Sequence, residues 1–158
     1  MLVQTMTSTV SLKKTVTVSR VLDTKAADPA SAHSHFSSKL AFETDPSDVY
    51  TDTQNGVTGI IVIDARTPEA YAKGHVPGSI NMPHRQIDNV TTMSIAKDKV
   101  LVTYCEGVFC NASTKAAAKL TALGFKVKEM LDGLDGWRRE GYPVETGIGP
   151  VRLQPDPE

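Results

Sequence analysis

The sequence has little that would commit it to a special environment. Its 158 residues hold only two cysteines and one tryptophan. Two cysteines are too few for the disulfide framework of a small secreted scaffold, and isolated thiols of this kind suit a reducing compartment. No run of roughly eighteen apolar residues is present to span a bilayer. No sign of charge dominates: 17 basic residues against 18 acidic ones give a formal charge of −1. That balance argues against sequence-wide attraction to nucleic acid or to an anionic membrane. The first thirty residues lack the apolar block of a secretory signal, so a cytoplasmic location is expected. Neither C-x-x-C nor H-E-x-x-H occurs, His33, His35 and His84 lack ligand spacing, and no metal or cofactor is expected.

What the chain does contain is an alternation of helix and strand signals. The stretch at 9–22, "TVSLKKTVTVSRVL", alternates weakly and reads as an edge strand or an arm exchanged between the subunits of a homodimer. "SAHSHFSSKLAFET" reads as a short helix with Phe36, Leu40 and Phe42 as apolar anchors. In "DPSDVYTDTQNG", Asp45 is placed to cap a helix with Pro46 at its first position and Gly56 at its end. "TPEAYAKGH" repeats that grammar with Thr67, Pro68 and Gly74. Strands are predicted over Ile60 to Asp64, "KVLVTY" and "KVKEML", with a short one around Ser79 to Asn81. A helical region is expected from Arg85 to Ala96. "STKAAAKLTALGF" sets Ala116, Leu120 and Leu123 on one helical face ahead of Gly124. "GLDGWRREG" makes a last short helix.

This order implies an α/β domain: a mostly parallel central sheet flanked by helices on both faces. Residues 1–32 are read as an N-terminal extension or arm, 33–146 as the domain, and 147–158 as a C-terminal tail. Ligands of such sheets bind beyond the carboxyl ends of the strands. Cys105 follows "VLVTY" at such an end and precedes a helix. A thiol reacts as thiolate, so its pKa should fall below about 8.5. The positive end of the following helix, and amides curled inward by Gly107, would do this. The competing reading is a buried structural cysteine.

Two segments carry a resemblance. "VIDARTPEAYAKGHVPGSINMPH" and "LVTYCEGVFCNASTKAAAKLTALGFKVKEMLDGLDGWRREGYPV" resemble the two halves of rhodanese-like sulfurtransferase domains across roughly residues 40–145. The resemblance implies the rhodanese-like fold and Cys105 as the catalytic residue. It would take sulfane sulfur as a persulfide from a small donor or a persulfide-carrying protein and pass it to a thiophilic acceptor. The active-site loop would be Cys105, Glu106, Gly107, Val108, Phe109 and Cys110, followed by Asn111. Many relatives have an arginine at the last loop position, to hold thiosulfate; here Cys110 stands there and Glu106 is acidic, so thiosulfate is expected to be a poor donor. Arg66 is a candidate for the missing positive charge beside the loop, against an ordinary ion pair.

Cys110 can resolve a persulfide on Cys105, receive its sulfur, or close a reversible disulfide; its bland alternative is a small residue packed under the loop. Val108 and Phe109 are expected to form an apolar lip. Asp64, His75 and Trp137 read as structural. Phosphatases and arsenate reductases of the same fold need a longer loop and an arginine after it, and here the residue after the loop is Asn111. A catalytically idle binding or regulatory module is the alternative from another class.

Overall fold

A computed structural model describes residues 18–148. Five strands, β1 (Glu43–Thr44), β2 (Ile60–Asp64), β3 (Ile80–Asn81), β4 (Val100–Tyr104) and β5 (Lys126–Met130), form one sheet in the order β1-β5-β4-β2-β3. Every pairing is parallel, with Ile61 opposite Leu101 and Val102 opposite Lys128. The helices are α1 (Pro29–Phe42), α2 (Pro46–Gln54), α3 (Pro68–Lys73), α4 (Ala112–Ala122) and α5 (Gly133–Arg139).

The helix starts follow from local chemistry. Asp45 caps α2 by accepting the Asp48 N–H at 2.9 Å, and Thr67 caps α3 by accepting the Ala70 N–H at 3.3 Å. In each case a proline fills a first-turn position whose N–H would have no partner. The central strands then alternate between two cores. Val62, Val102 and Tyr104 face Val49 of α2 and Leu134 and Trp137 of α5. Ile63 and Leu101 face Ala116 and Leu120 of α4, with Phe125. Leu101, Leu120 and Leu134 are fully buried, and each contributes about 1.5–3 kcal/mol by leaving water. Helices thus cover both faces of a parallel sheet, as the sequence pattern implies.

Three local expectations are corrected. The region Arg85 to Ala96 is not a helix; a 3₁₀ turn at His84–Gln86 is followed by irregular turns. Asp88 explains the difference, because its carboxylate takes the N–H groups of Val90 at 2.9 Å and Thr91 at 2.8 Å. That local bonding competes with a helical ladder. Second, Phe36, Leu40 and Phe42 anchor nothing: they are 62, 74 and 65% exposed, on a helix that buries no residue. This helix, α1, begins at Pro29, inside the stretch read as an extension, and Asp28 caps it. Third, Glu43 and Thr44 leave that helix to pair with Glu129 and Met130 as an edge strand.

Most of the weakly alternating stretch at 9–22, and the tail from 149 onward, lie outside the described residues; residues 18–22 form no strand. Among the described residues no helix is long and apolar enough to cross a membrane.

Candidate active site

Chain geometry brings Cys105 to the carboxyl end of β4, where the backbone leaves the sheet and turns into α4. The intervening loop borders an open cavity of about 400 Å³. Its lining includes Cys105, Gly107 through Asn111, Ser113 and Thr114 from one side, and Glu129 through Gly133 from the other. Of the loop residues expected at the site, Gly107 through Asn111 therefore meet around one cavity with Cys105 itself, and Glu106 and Arg66 are not part of its lining.

The loop is held from below by α5. Leu134 donates its N–H to the Cys105 carbonyl at 2.9 Å, and Asp135 donates to the Glu106 carbonyl at 2.8 Å. These are first-turn amides of a helix, which have no partner inside it. Glycine is required at the contact: a Cβ on Gly133 would lie 2.3 Å from the Cys105 carbonyl oxygen, and its φ is +53°. Gly107 does not use a left-handed φ; a Cβ there would meet the Asp135 carboxylate at 2.6 Å. The expected role of Gly107 as a curling point is thus replaced by close packing on α5.

Cys105 is only 2% exposed. Its sulfur lies 2.8 Å from the Cys110 carbonyl oxygen and 3.8 Å from that of Gly107, both as acceptors of the thiol proton. From the α4 side, Ser113 Oγ approaches the sulfur at 3.2 Å. The expectation of a lowered pKa is corrected. Burial pushes the Cys105 thiol up, the hydroxyl and N–H of Ser113 pull against it, and the Cys110 thiol adds to the rise. This geometry favours the protonated sulfur, since two carbonyls facing a thiolate would repel it.

Cys110 differs. Burial pushes its thiol up as well, but the Ala112 N–H, the Cys105 thiol and the Glu106 N–H outweigh this and hold it below the ordinary value. The inward amides that sequence reasoning assigned to Cys105 therefore serve largely Cys110. The Cys105 sulfur lies against the Cys110 main chain, neither cysteine is in a disulfide, and Cys110 is the more exposed.

Arg66 lies beneath the loop and is spent on protein acceptors. It bridges Asp64 at 2.7 Å and Glu106 at 2.5 Å and donates to the Gly74 carbonyl at 2.6 Å. Burial opposes its charge, but the two carboxylates more than restore it. Arg66 thus sits beside the loop, as expected, but supplies its charge to Glu106 and not to the cavity. The other oxygen of Glu106 is held by Arg138 at 3.0 Å.

Asp64 also accepts the Arg66 N–H at 2.9 Å and the Tyr104 hydroxyl proton at 2.6 Å. His75 is buried, stacks on Tyr71 and bonds its carbonyl through Nδ1 at 2.8 Å. Trp137 is buried and donates to the Pro143 carbonyl at 2.7 Å. All three sit in structural positions. Val108 and Phe109 project into solvent at the tip of the loop. Asn111 caps α4 by position but makes no side-chain capping bond.

Sequence reasoning missed Ser113, Thr114 and Glu129. Glu129 accepts hydrogen bonds from Ser113 at 2.6 Å and Thr114 at 2.8 Å. Register supplies the missing signal: Glu129 pairs with Thr103, so it falls on the same face as Cys105, two residues beyond. Arg138 and Gly133 lie within the segment read as a last short helix around Trp137, without a role of their own at the loop.

Comparison with known proteins agrees with this geometry. The family description "Rhodanese-like domain" matches residues 45–140. The thiosulfate sulfurtransferase GlpE of Pseudomonas entomophila is 33% identical over 91 residues, covering 58% of this chain and 81% of GlpE. An HTH-type transcriptional regulator of Mycobacterium tuberculosis, Rv0324, is 33% identical over 88 residues. That match covers 56% of this chain but only 38% of the regulator. The crystal structure of the BH2092 protein from Bacillus halodurans aligns with a TM-score of 0.74 at 45% identity, covering 77% of this chain and 88% of that one.

Proposed function

Because the chain belongs to the rhodanese-like domain family, we propose that it is a sulfurtransferase carrying sulfane sulfur as a persulfide on Cys105. The observation that carries this reading is the placement of Cys105 at the end of β4, on a cavity between its loop and the β5–α5 connection. In the first step the Cys105 thiolate attacks the sulfane sulfur of a donor. The bond between that sulfur and the donor breaks, and the donor leaves with the electron pair. A nucleophilic acceptor then takes the outer sulfur and returns Cys105 as thiolate.

Ionisation has a structural consequence. The resting thiol donates to the Cys110 carbonyl; once the proton leaves, that oxygen faces a negative sulfur. Turning the peptide between Cys110 and Asn111 replaces the carbonyl with an N–H and restores an attractive contact. Donor binding and loop turning are therefore expected to go together.

The lining favours an uncharged or singly charged donor. It includes Glu129 and no lysine or arginine, while the carboxylate of Asp132, also at its edge, is paired with Arg139. Glu106, the residue first suspected of repelling thiosulfate, is already paired with two arginines. Dianionic thiosulfate is the poorer fit, and an organic persulfide, small or protein-borne, is the better one, with Val108 and Phe109 as apolar contacts at the rim. Free thiols in such a site suit the cytoplasm.

The test is mass spectrometry after exposure to an organic persulfide or to thiosulfate. Cys105 should gain one sulfur, faster from the persulfide, and Cys105→Ser should gain none at that position. A bare Cys105 thiol with both donors would replace this reading with a non-catalytic module. Faster loading from thiosulfate would overturn the donor preference.

A further inference from the structure

Transfer to an outside acceptor does not account for Cys110. The second cysteine borders the same cavity as Cys105, has its carbonyl oxygen 2.8 Å from the Cys105 sulfur, and is the more accessible of the two. We propose that Cys110 discharges the Cys105 persulfide inside the loop, so that the protein releases sulfane sulfur as hydrosulfide and is left with a Cys105–Cys110 disulfide. This rests on the persulfide reading above.

The chemistry balances. The Cys110 thiolate attacks Cys105 Sγ, the inner sulfur of the persulfide. A bond forms between the two cysteine sulfurs, and the bond from Sγ to the outer sulfur breaks. The outer sulfur leaves as hydrosulfide with the electron pair. It is reduced by two electrons, and the two cysteine sulfurs together are oxidised by two. A dithiol reductant then opens the disulfide by exchange, becomes a disulfide itself, and returns both thiols.

Three features favour attack at the inner sulfur. The Cys105 sulfur lies 2.8 Å from the Cys110 carbonyl oxygen, so the residue that carries the attacking thiol already stands against Sγ. The outer sulfur would extend to the open side of the cavity, on the side lined by Glu129. That carboxylate disfavours a charged sulfur held there and favours its departure. Finally, the attacking thiol is the one that amides support: the Ala112 and Glu106 N–H groups stabilise it as an anion. Two cysteines five positions apart within one loop provide both the carrier and its discharge.

The experiment uses the full chain and its Cys110→Ser and Cys110→Ala variants, reduced, freed of reductant and kept anaerobic. Each is exposed to inorganic polysulfide for increasing times and quenched with an alkylating reagent. Intact mass and peptide mapping then separate thiol, persulfide and disulfide. Expected for the wild type is a mass lighter by two hydrogens, with the Cys105 and Cys110 peptides joined. A dithiol should restore the thiols. Both variants should accumulate the Cys105 persulfide and lose it at least about tenfold more slowly. A wild type that retains its Cys105 persulfide as long as the variants do overturns the proposal while leaving the transferase reading intact. So does sulfur kept on Cys110 as a persulfide. If no form of the chain ever carries a persulfide or a disulfide, the sulfurtransferase reading falls, and this one with it.

Discussion

Ser113 Oγ lies 3.2 Å from the sulfur of Cys105. Its hydroxyl has one proton and two acceptors, since Glu129 stands 2.6 Å away on the other side. While Cys105 is a thiol, the proton belongs with the carboxylate. When Cys105 ionises, the proton can turn to the sulfur, because Thr114 still satisfies Glu129 at 2.8 Å. Ser113 is therefore a positioning residue that favours the thiolate, and Glu129 is a charge that opposes it.

The two roles predict opposite signs. Ser113→Ala removes the donor to the thiolate and should slow alkylation of Cys105 at neutral pH by about tenfold, one charge-assisted hydrogen bond's worth. Glu129→Gln removes a negative charge and should speed it. The reading is the rate of Cys105 alkylation against pH, resolved from Cys110 by peptide mapping. The profile should move alkaline for the first variant and acid for the second. Shifts of the same sign would mean that only packing had changed.

Burial of neutral acids makes a prediction about alkaline stability. Burial first, and then the nearby Asp64 carboxylate, raise the Tyr104 hydroxyl far above its ordinary value, and burial also raises Cys105. A raised acid holds its proton longer in the folded chain than in the unfolded one. Its contribution is complete below the unfolded pKa and is lost as pH climbs beyond it. Stability should thus decline from about pH 8.5, where free thiols ionise, and more steeply from about pH 10, where free tyrosines do. Tyr104→Phe should flatten the steeper part. At neutral pH the same change costs about 1–3 kcal/mol, because the Val76 N–H, 3.0 Å from the hydroxyl, loses its acceptor. Urea denaturation across pH measures both. An unchanged slope above pH 10 would show that other groups dominate.

Much of this site is written locally in the chain, and the parts that are not have a physical cause. Asp45–Pro46 and Thr67–Pro68 specify their helix starts within four residues, and the structure follows them. Cys105 is legible because an apolar run ends at it. The orientation of the loop around it is not legible, because α5 fixes it through bonds to the carbonyls of Cys105 and Glu106, about thirty residues upstream. That distant grip is why carbonyls, and not only amides, meet the Cys105 sulfur. Arg66 and Glu106 show the same limit: each stands out in the sequence as a charge at or beside the loop, but only folding shows that they pair with each other. Glu129 looks like a solvent-facing residue of a strand until the register sets it beside Ser113.

The grip of α5 on the loop rests on Gly133, and this can be tested against a second glycine in the same contact. Alanine at 133 must place a Cβ 2.3 Å from the Cys105 carbonyl oxygen while holding φ at +53°. Backbone stands on both sides of that clash, so relief requires α5 to withdraw. Withdrawal stretches the bonds from the Leu134 and Asp135 N–H groups that fix the loop. Alanine at 107 also meets an obstacle, but it is the end of the Asp135 side chain, at 2.6 Å, and φ there is unstrained. A side chain swings aside at little cost, whereas left-handed strain and backbone overlap together cost about 1–3 kcal/mol or more. Gly133→Ala should therefore lower the urea midpoint clearly more than Gly107→Ala. It should also raise the alkylation rate of Cys105, because a released loop uncovers the buried sulfur. Equal midpoints for the two variants, with Cys105 equally protected, would mean that the loop keeps its shape without α5 and that its carbonyls face the sulfur for a purely local reason.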